Sequence, residues 1–439
     1  MKKFLALLVA MILLLSMVAC NNGGDDKVAT IPDFDSGKTV KLTIGAPGGD
    51  QITPSELFEM FEKKYPNIEL TVDKSPWGDY EMKLAQQLAA KKAADVFLMD
   101  SGNIATFGAK GLLVNVADKV STDFNTDEYT ALDAGADGKG NIWGMPHGLN
   151  SVAILYNKKM FDDAGISYPE ADWTWEEMLD IAEKLTEDKD GDGKTDVYGL
   201  IMTDNITQGW LPAVLATGGS PVTEDRTQSN FDDPKTIEGL KLYKKIADMD
   251  IMPNDEVRAS FQGSASVMFT NDVVAMVVAQ AGEMTAIDKL KYEGFEYDAQ
   301  YMPVGYDGVQ KTIYVPNLWA INASASPEAV AAAWEWIKFY ESEEAQQIIG
   351  QKRLAGFPIK KSALDKVADN VKVPANISVF YDKINENGVT LFENACWAQW
   401  VGVVSGEAGA LLRDTKPFDE VIKTIQSEVE RIHRETYGK

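Results

Sequence analysis

The chain has 439 residues, two cysteines and a formal charge of −25 from 67 acidic and 42 basic side chains. That length exceeds what one hydrophobic core usually serves, so two lobes are expected. The acidic balance excludes a nucleic-acid surface, which needs clustered Lys and Arg to meet phosphates, and it gives little support for an anionic solute.

Lys2-Lys3 and the apolar run Phe4 to Leu15 read as a processing signal, too short for a membrane span. Met17-Val18-Ala19-Cys20 resembles the lipobox of bacterial lipoproteins, with Met17 where Leu is usual. The resemblance implies that residues 1–19 are cleaved and that the Cys20 thiol carries lipid. The plain alternative is a secretory signal with a chance cysteine. The polar run Asn21 to Asp26 follows at once, and residues 20–38 are expected as a flexible tether. With Cys20 acylated, Cys396 has no disulfide partner, and it is expected as a small packed residue. No second long apolar run occurs, so no membrane-spanning helix is expected.

Thr39 to Ala46 alternates as a strand and ends in the loop Pro47-Gly48-Gly49-Asp50. Pro54 to about Lys64 is a helix. Ile68 to Val72 is a strand, Leu84 to Ala94 a helix and Asp95 to Met99 a third strand. Ile142-Trp143 is a short apolar pair, Pro146 and Gly148 break the regular structure, and Val152 to Tyr156 suits a buried strand. A short helix, Met160 to Ala164, stops at Gly165. Thr174 with Glu177 is a capping box, and Met178, Ile181, Ala182 and Leu185 share the face of the helix that follows. Further strands are expected at Tyr198 to Met202, Ala265 to Phe269, Tyr297 to Met302 and Leu318 to Ile321. Further helices are expected at Leu211 to Thr217, Thr236 to Asp248, Pro327 to Tyr340, Ala395 to Ser405 and Phe418 to Tyr437. Alternation of this kind predicts an α/β fold with mainly parallel sheets flanked by helices.

The segment GMPHGLNSVAILYNKKMFDDAGI, followed by TWEEMLDIAEKLT, resembles the extracellular solute-binding proteins of ABC importers. It is most similar to the sugar-binding group that includes the maltodextrin-binding proteins. The resemblance continues through PNIELTVDKSPWGDYEMKLAQQLAAKKAADVFLMD and AAAWEWIKFYESEEAQQIIG, and it covers the chain beyond about Lys38. It implies a two-lobed periplasmic-binding-protein-like fold of the class II type with discontinuous lobes. These would be 39–148 plus 299–357, and 152–297 plus 360–439. The hinge would lie near Gly148 to Ser151, Asp298 and Phe357-Pro358, beside an interlobe cleft.

A search for catalysis returns little. The two histidines, His147 and His433, lie in no metalloprotease motif, and GxSxG, Walker A and GxGxxG patterns are absent. The ten tryptophans are more informative, because indole faces stack on the C–H face of sugars while Asp, Asn and Gln pair with hydroxyls. Trp77, Trp210, Trp397 and Trp400 sit beside polar residues at loops and helix starts, where the resemblance places the cleft. Core packing is the alternative for each. Trp175, Trp334 and Trp336 are expected to be structural. The resemblance makes Asn150 a sugar contact. Asp100, Ser101, Gln208, Asn271 and Asn317 are polar candidates at strand or helix ends.

Asp188, Asp190, Asp192 and Asp196, with Gly193, match the first part of a calcium-binding EF-hand loop, but position 12 is Gly199. A solvated acidic turn is the alternative reading. The expected protein is therefore a monomeric, lipid-anchored binding protein on the outer face of the cell membrane, with no required cofactor and optional structural calcium. It would deliver a carbohydrate, an oligosaccharide by preference, to an ABC permease. A polyamine or metal-chelate binder and a secreted carbohydrate-active enzyme are the alternatives.

Overall fold

The computed structural model describes residues 30–438 except 77–79, 133, 138, 353–355 and 371–372. The expected processing signal, Cys20 and Trp77 lie outside the described residues. Among the described residues, nine strands form one continuous arrangement: β1 Val40–Gly45, β2 Ile68–Asp73, β3 Val96–Asp100, β4 Met145–Asn157, β5 Tyr198–Ile201, β6 Val274–Gln280, β7 Tyr297–Gln300, β8 Thr312–Ile321 and β9 Gly388–Val389. The order is β2-β1-β3-β8-β4-β6-β5, with β7 on β4 and β9 on β8. The flanks are parallel (β2-β1-β3 and β5-β6), as strand–helix alternation predicts, and β8 and β4 run antiparallel through the middle.

The key strand is β4. Rather than a broken crossing, it is one 13-residue strand that runs through Pro146 and Gly148. The irregularity is absorbed by a register shift against β8 between those two residues. Proline brings no amide hydrogen, so a bulge is where a ladder tolerates it. Up to Ser151 the strand pairs with β8, and from Val152 it pairs with β6. One strand thus belongs to two sheets.

Side-chain alternation along the strands separates the cores. Leu42, Ile44, Val96, Leu98, Ala153, Leu155, Val277 and Trp319 enter a first core beneath both sheets. Val152, Ile154, Tyr156, Met276 and Val278 face a second core with Trp210 and Trp400. Phe97, Met99, Leu318 and Ala320 face a third, smaller core.

Local signals set most helices. Thr174 and Glu177 form the expected capping box, and Met178, Leu179, Ala182 and Leu185 are buried on helix Trp175–Leu185. Asp233 and Ser326 cap Pro234–Ala247 and Pro327–Tyr340, each with Pro in its first turn. Residues 265–270 correct the expected strand: they are helical, because the Ser264 side chain accepts from the Val267 amide. The strand comes next, as β6. Short apolar runs do not distinguish the two by periodicity. Among the described residues, no helix is long and apolar enough to cross a membrane.

Candidate functional site

The end of β3 meets the middle of β8, which meets β4, and polar groups gather there. β3 ends at Asp100, which lies opposite Asn317 of β8, and Asn317 lies opposite Gly148 of β4. The Asp100 carboxylate accepts from the Gly102 amide at 2.9 Å. Burial holds its pKa above the ordinary carboxylate range, the Gly102 amide opposes that, and the nearby Glu393 charge adds to it. Ser101 is buried and donates to Glu393 Oε1 at 2.6 Å.

Two residues beyond Gly148 a second cluster begins. Asn150 Nδ2 donates to Gln280 Oε1 at 2.9 Å, and Asn150 Oδ1 accepts from the Gly282 amide at 3.0 Å. Gln280 Nε2 donates to Thr207 Oγ1 at 2.8 Å. Gln208 Nε2 donates to the Val278 carbonyl at 2.8 Å and to Glu283 Oε2 at 3.0 Å. Burial raises the Glu283 pKa, with Gln208 and the Gln280 amide opposing. Asn205 caps the turn Ile206–Trp210, accepting from the Gln208 amide at 2.7 Å. Gly209 is forced there, since a Cβ would stand 2.2 Å from the Thr203 carbonyl. Sequence reading finds Asn150 and Gln208 but misses Gln280, Gly282, Glu283 and Thr207. The missed signal is Gln280-Ala-Gly-Glu283, a capping box at the end of an apolar strand.

The tryptophans divide. Trp210 and Trp400 are fully buried in the second core, with ring centroids 6.3 Å apart, so neither offers a free face. Trp397 and Trp400 do not present a shared face, because Trp400 is enclosed in the second core while the Trp397 ring lies against Gly102. Trp397 opens helix Trp397–Leu412 and is half-buried. Its indole Nε1 donates to the Leu391 carbonyl at 2.9 Å, and its ring lies so close to Gly102 that a Cβ there would come within 2.6 Å. Asn271 is a second correction: it is exposed, and its side chain binds back to the Val267 carbonyl of its own helix, ahead of β6 and away from Gln280.

The profile of the bacterial extracellular solute-binding proteins matches residues 56–375. The chain belongs to this family. Among relatives, a maltotriose-binding protein of Pyrococcus abyssi is 24% identical over 410 residues, 90% of this chain and 82% of its own. Among solved structures, an ABC substrate-binding protein of Listeria monocytogenes in complex with cycloalternan superposes with a TM-score of 0.77 at 22% identity, covering 91% of this chain and all of that one. The sugar-binding protein MalE of Xanthomonas citri gives 0.76 at 18% identity, covering 90% and 98%. These likenesses carry the two-domain periplasmic-binding-protein fold.

A solute-binding protein of this family is not an enzyme, and both histidines are packing residues. His147 is buried against Tyr340, ring centroids 5.0 Å apart, and burial pushes its pKa down to about 3. His433 is buried beside Asn394, with Nε2 and Nδ2 3.1 Å apart, and burial lowers its pKa too. Cys396 is buried.

In the acidic loop, carboxylate oxygens of Asp188, Asp190 and Asp196 lie within 4.8 Å of one another. Asp192 stands outside that group and accepts from the Lys194 amide at 2.8 Å instead. Position 12, Gly199, is fixed as glycine, since a Cβ would stand 1.9 Å from the Ala182 carbonyl. Three of the four expected ligands therefore converge, without the bidentate acid of a full EF-hand.

Proposed function

We propose that this protein captures a neutral oligosaccharide between two lobes and delivers it to the permease of an ABC importer, from a lipid anchor at Cys20 on the outer face of the membrane. One observation carries the reading. The half-buried Trp397 indole lies against Gly102, beside the Asp100–Asn317–Gly148 row, and Gly148 is two residues along β4 from the Asn150–Gln280–Glu283 network. An aromatic face beside fixed amides and carboxyls suits a sugar's C–H face and its hydroxyls. The maltotriose and cycloalternan named for the relatives support the same class.

The lobes are 39–148 plus 299–357, and 152–297 plus 360–439. The change of β4 partner at Ser151 and the two Leu149–Phe357 backbone hydrogen bonds of 2.7 and 2.8 Å support the boundary at β4, while Ala299 and Gln300 pair with Leu155 and Ile154 beyond it. Closure about that strand would bury the ligand. Thermal-shift screening of a carbohydrate library tests the class. A ligand that binds only the folded state raises the melting temperature, and flat curves across the library with a shift by polyamines would overturn the reading.

The anchor and the acidic loop are tested separately. Cys20→Ser should move the protein from the membrane fraction to the medium or leave its signal uncleaved. Detergent-dependent membrane association identical to wild type would count against the anchor. With three converging carboxylates, calcium should bind the Asp188–Asp196 loop weakly, in roughly the 10⁻⁴–10⁻³ M range of extracellular modules. Asp190→Ala should then abolish a calcium-dependent rise in melting temperature. A wild-type curve unmoved by millimolar calcium or by chelator would make the loop a plain turn.

A further inference from the structure

Ser101 and Glu393 come from different cores. Ser101 follows β3, whose side chains fill the first and third cores. Glu393 lies between Leu391 and Cys396, both in the second core. Their 2.6 Å hydrogen bond joins the two sides, and both side chains are buried, 1% and 7% exposed. Glu393 Oε2 also faces Arg226 Nη1 at 3.7 Å. Arg226 donates to the Glu393 carbonyl and to Thr390 Oγ1, each at 3.2 Å. The Arg226 backbone is left-handed, φ 55°, and its carbonyl accepts from Asn394 Nδ2 at 2.9 Å. Thr106 Oγ1 donates to the Asn394 carbonyl at 3.3 Å, again between the sides, and the Trp397 ring closes on Gly102.

We propose that the Ser101–Glu393–Arg226 chain is a latch that holds the β3 side of the solute site against the second core before any ligand arrives, with Glu393 as its positioning residue. The inference takes from the functional proposal only that solute enters between these two sides. A buried carboxylate is tolerated when it is paired and hydrogen-bonded, and water solvates it equally well once it is exposed. The net closing force is therefore small, and the closed form is favoured only while the Ser101 contact is made. The Ser101 hydroxyl ties the Glu393 carboxylate across the two sides, so losing that hydroxyl should tip the balance toward opening. Arg226 and Glu393 remain on the same side when the latch opens, so their pairing contributes no closing force and only fixes the direction of the carboxylate.

The test uses no ligand, so it does not depend on which solute binds. Small-angle X-ray scattering is recorded on the mature wild type, Ser101→Ala and Glu393→Gln, after confirming cooperative melting of each. The wild type should scatter as the closed form, and both variants should show a larger radius of gyration and a longer maximum dimension. Hydrogen exchange at the Gly102 and Asn103 amides should accelerate in the same variants. If Glu393→Gln does not fold, Ser101→Ala decides alone, because it deletes one hydroxyl and leaves the Arg226 contacts in place. A wild type already as extended as the variants, or variants that scatter and exchange like wild type, overturns the latch.

Discussion

Trp400→Ala is expected to cost about 3–5 kcal/mol of folding stability, the range for deleting a large core side chain. Trp400 is 0% exposed. Its ring packs near Trp210, Phe231 and His433, with centroids 6.3, 6.3 and 6.4 Å away. Its Nε1 donates to Asn394 Oδ1 at 3.2 Å, an acceptor shared with the Cys396 amide at 3.1 Å. Truncation opens a cavity and removes one donor from a buried amide, and both effects destabilise. Equilibrium urea unfolding without ligand measures the loss. A cost below about 1 kcal/mol would place the ring outside the core, against the burial that removes it from the site.

Trp397→Ala should behave in the opposite way. Its ring is half-buried, between the edge of the second core and the Gly102 backbone, so deleting it removes a face from the site and a smaller plug from the core than Trp400 does. The loss of affinity should be roughly 1–3 kcal/mol, from the apolar surface a sugar would otherwise cover. That corresponds to roughly 5- to 150-fold in Kd. Stability without ligand should fall by only about 1 kcal/mol, the typical net worth of the lost Nε1 bond to the Leu391 carbonyl. Titration of both variants with the same sugar separates them. Unchanged affinity in Trp397→Ala together with a large loss of stability would move this residue into the core as well.

The contrast between these two side chains shows which features are legible in the sequence. Caps and apolar periodicity are local, so Thr174 with Glu177 and the one-sided apolar helix Phe418–Tyr437 can be read directly. The family resemblance singles out Asn150, which the fold sets in the polar network, and Asp100 is recognisable as a polar residue at a strand end, whereas Asn317, expected just before a strand, lies in the middle of β8. Trp210 and Trp400 are not assignable, because a large aromatic beside polar neighbours is equally compatible with core and cleft. Only the long-range packing of helix Trp397–Leu412 against Phe418–Tyr437 and Phe231 decides it. β4 reads as broken because Pro146 and Gly148 are breakers in isolation, whereas the bulge against β8 is a property of the pair. Glu393 and Arg226 escape a sequence reading for the same reason, since they are 167 residues apart and meet only in the fold.

The most direct measurement is isothermal titration of the mature protein with the oligosaccharide selected by thermal shift, followed by recovery of the sugar after prolonged incubation. One-to-one saturable binding, weakened in Trp397→Ala, with the sugar recovered intact, is the predicted result. Cleaved products, or no saturable binding by any carbohydrate in the library, would contradict the assignment of this cleft to carbohydrate capture.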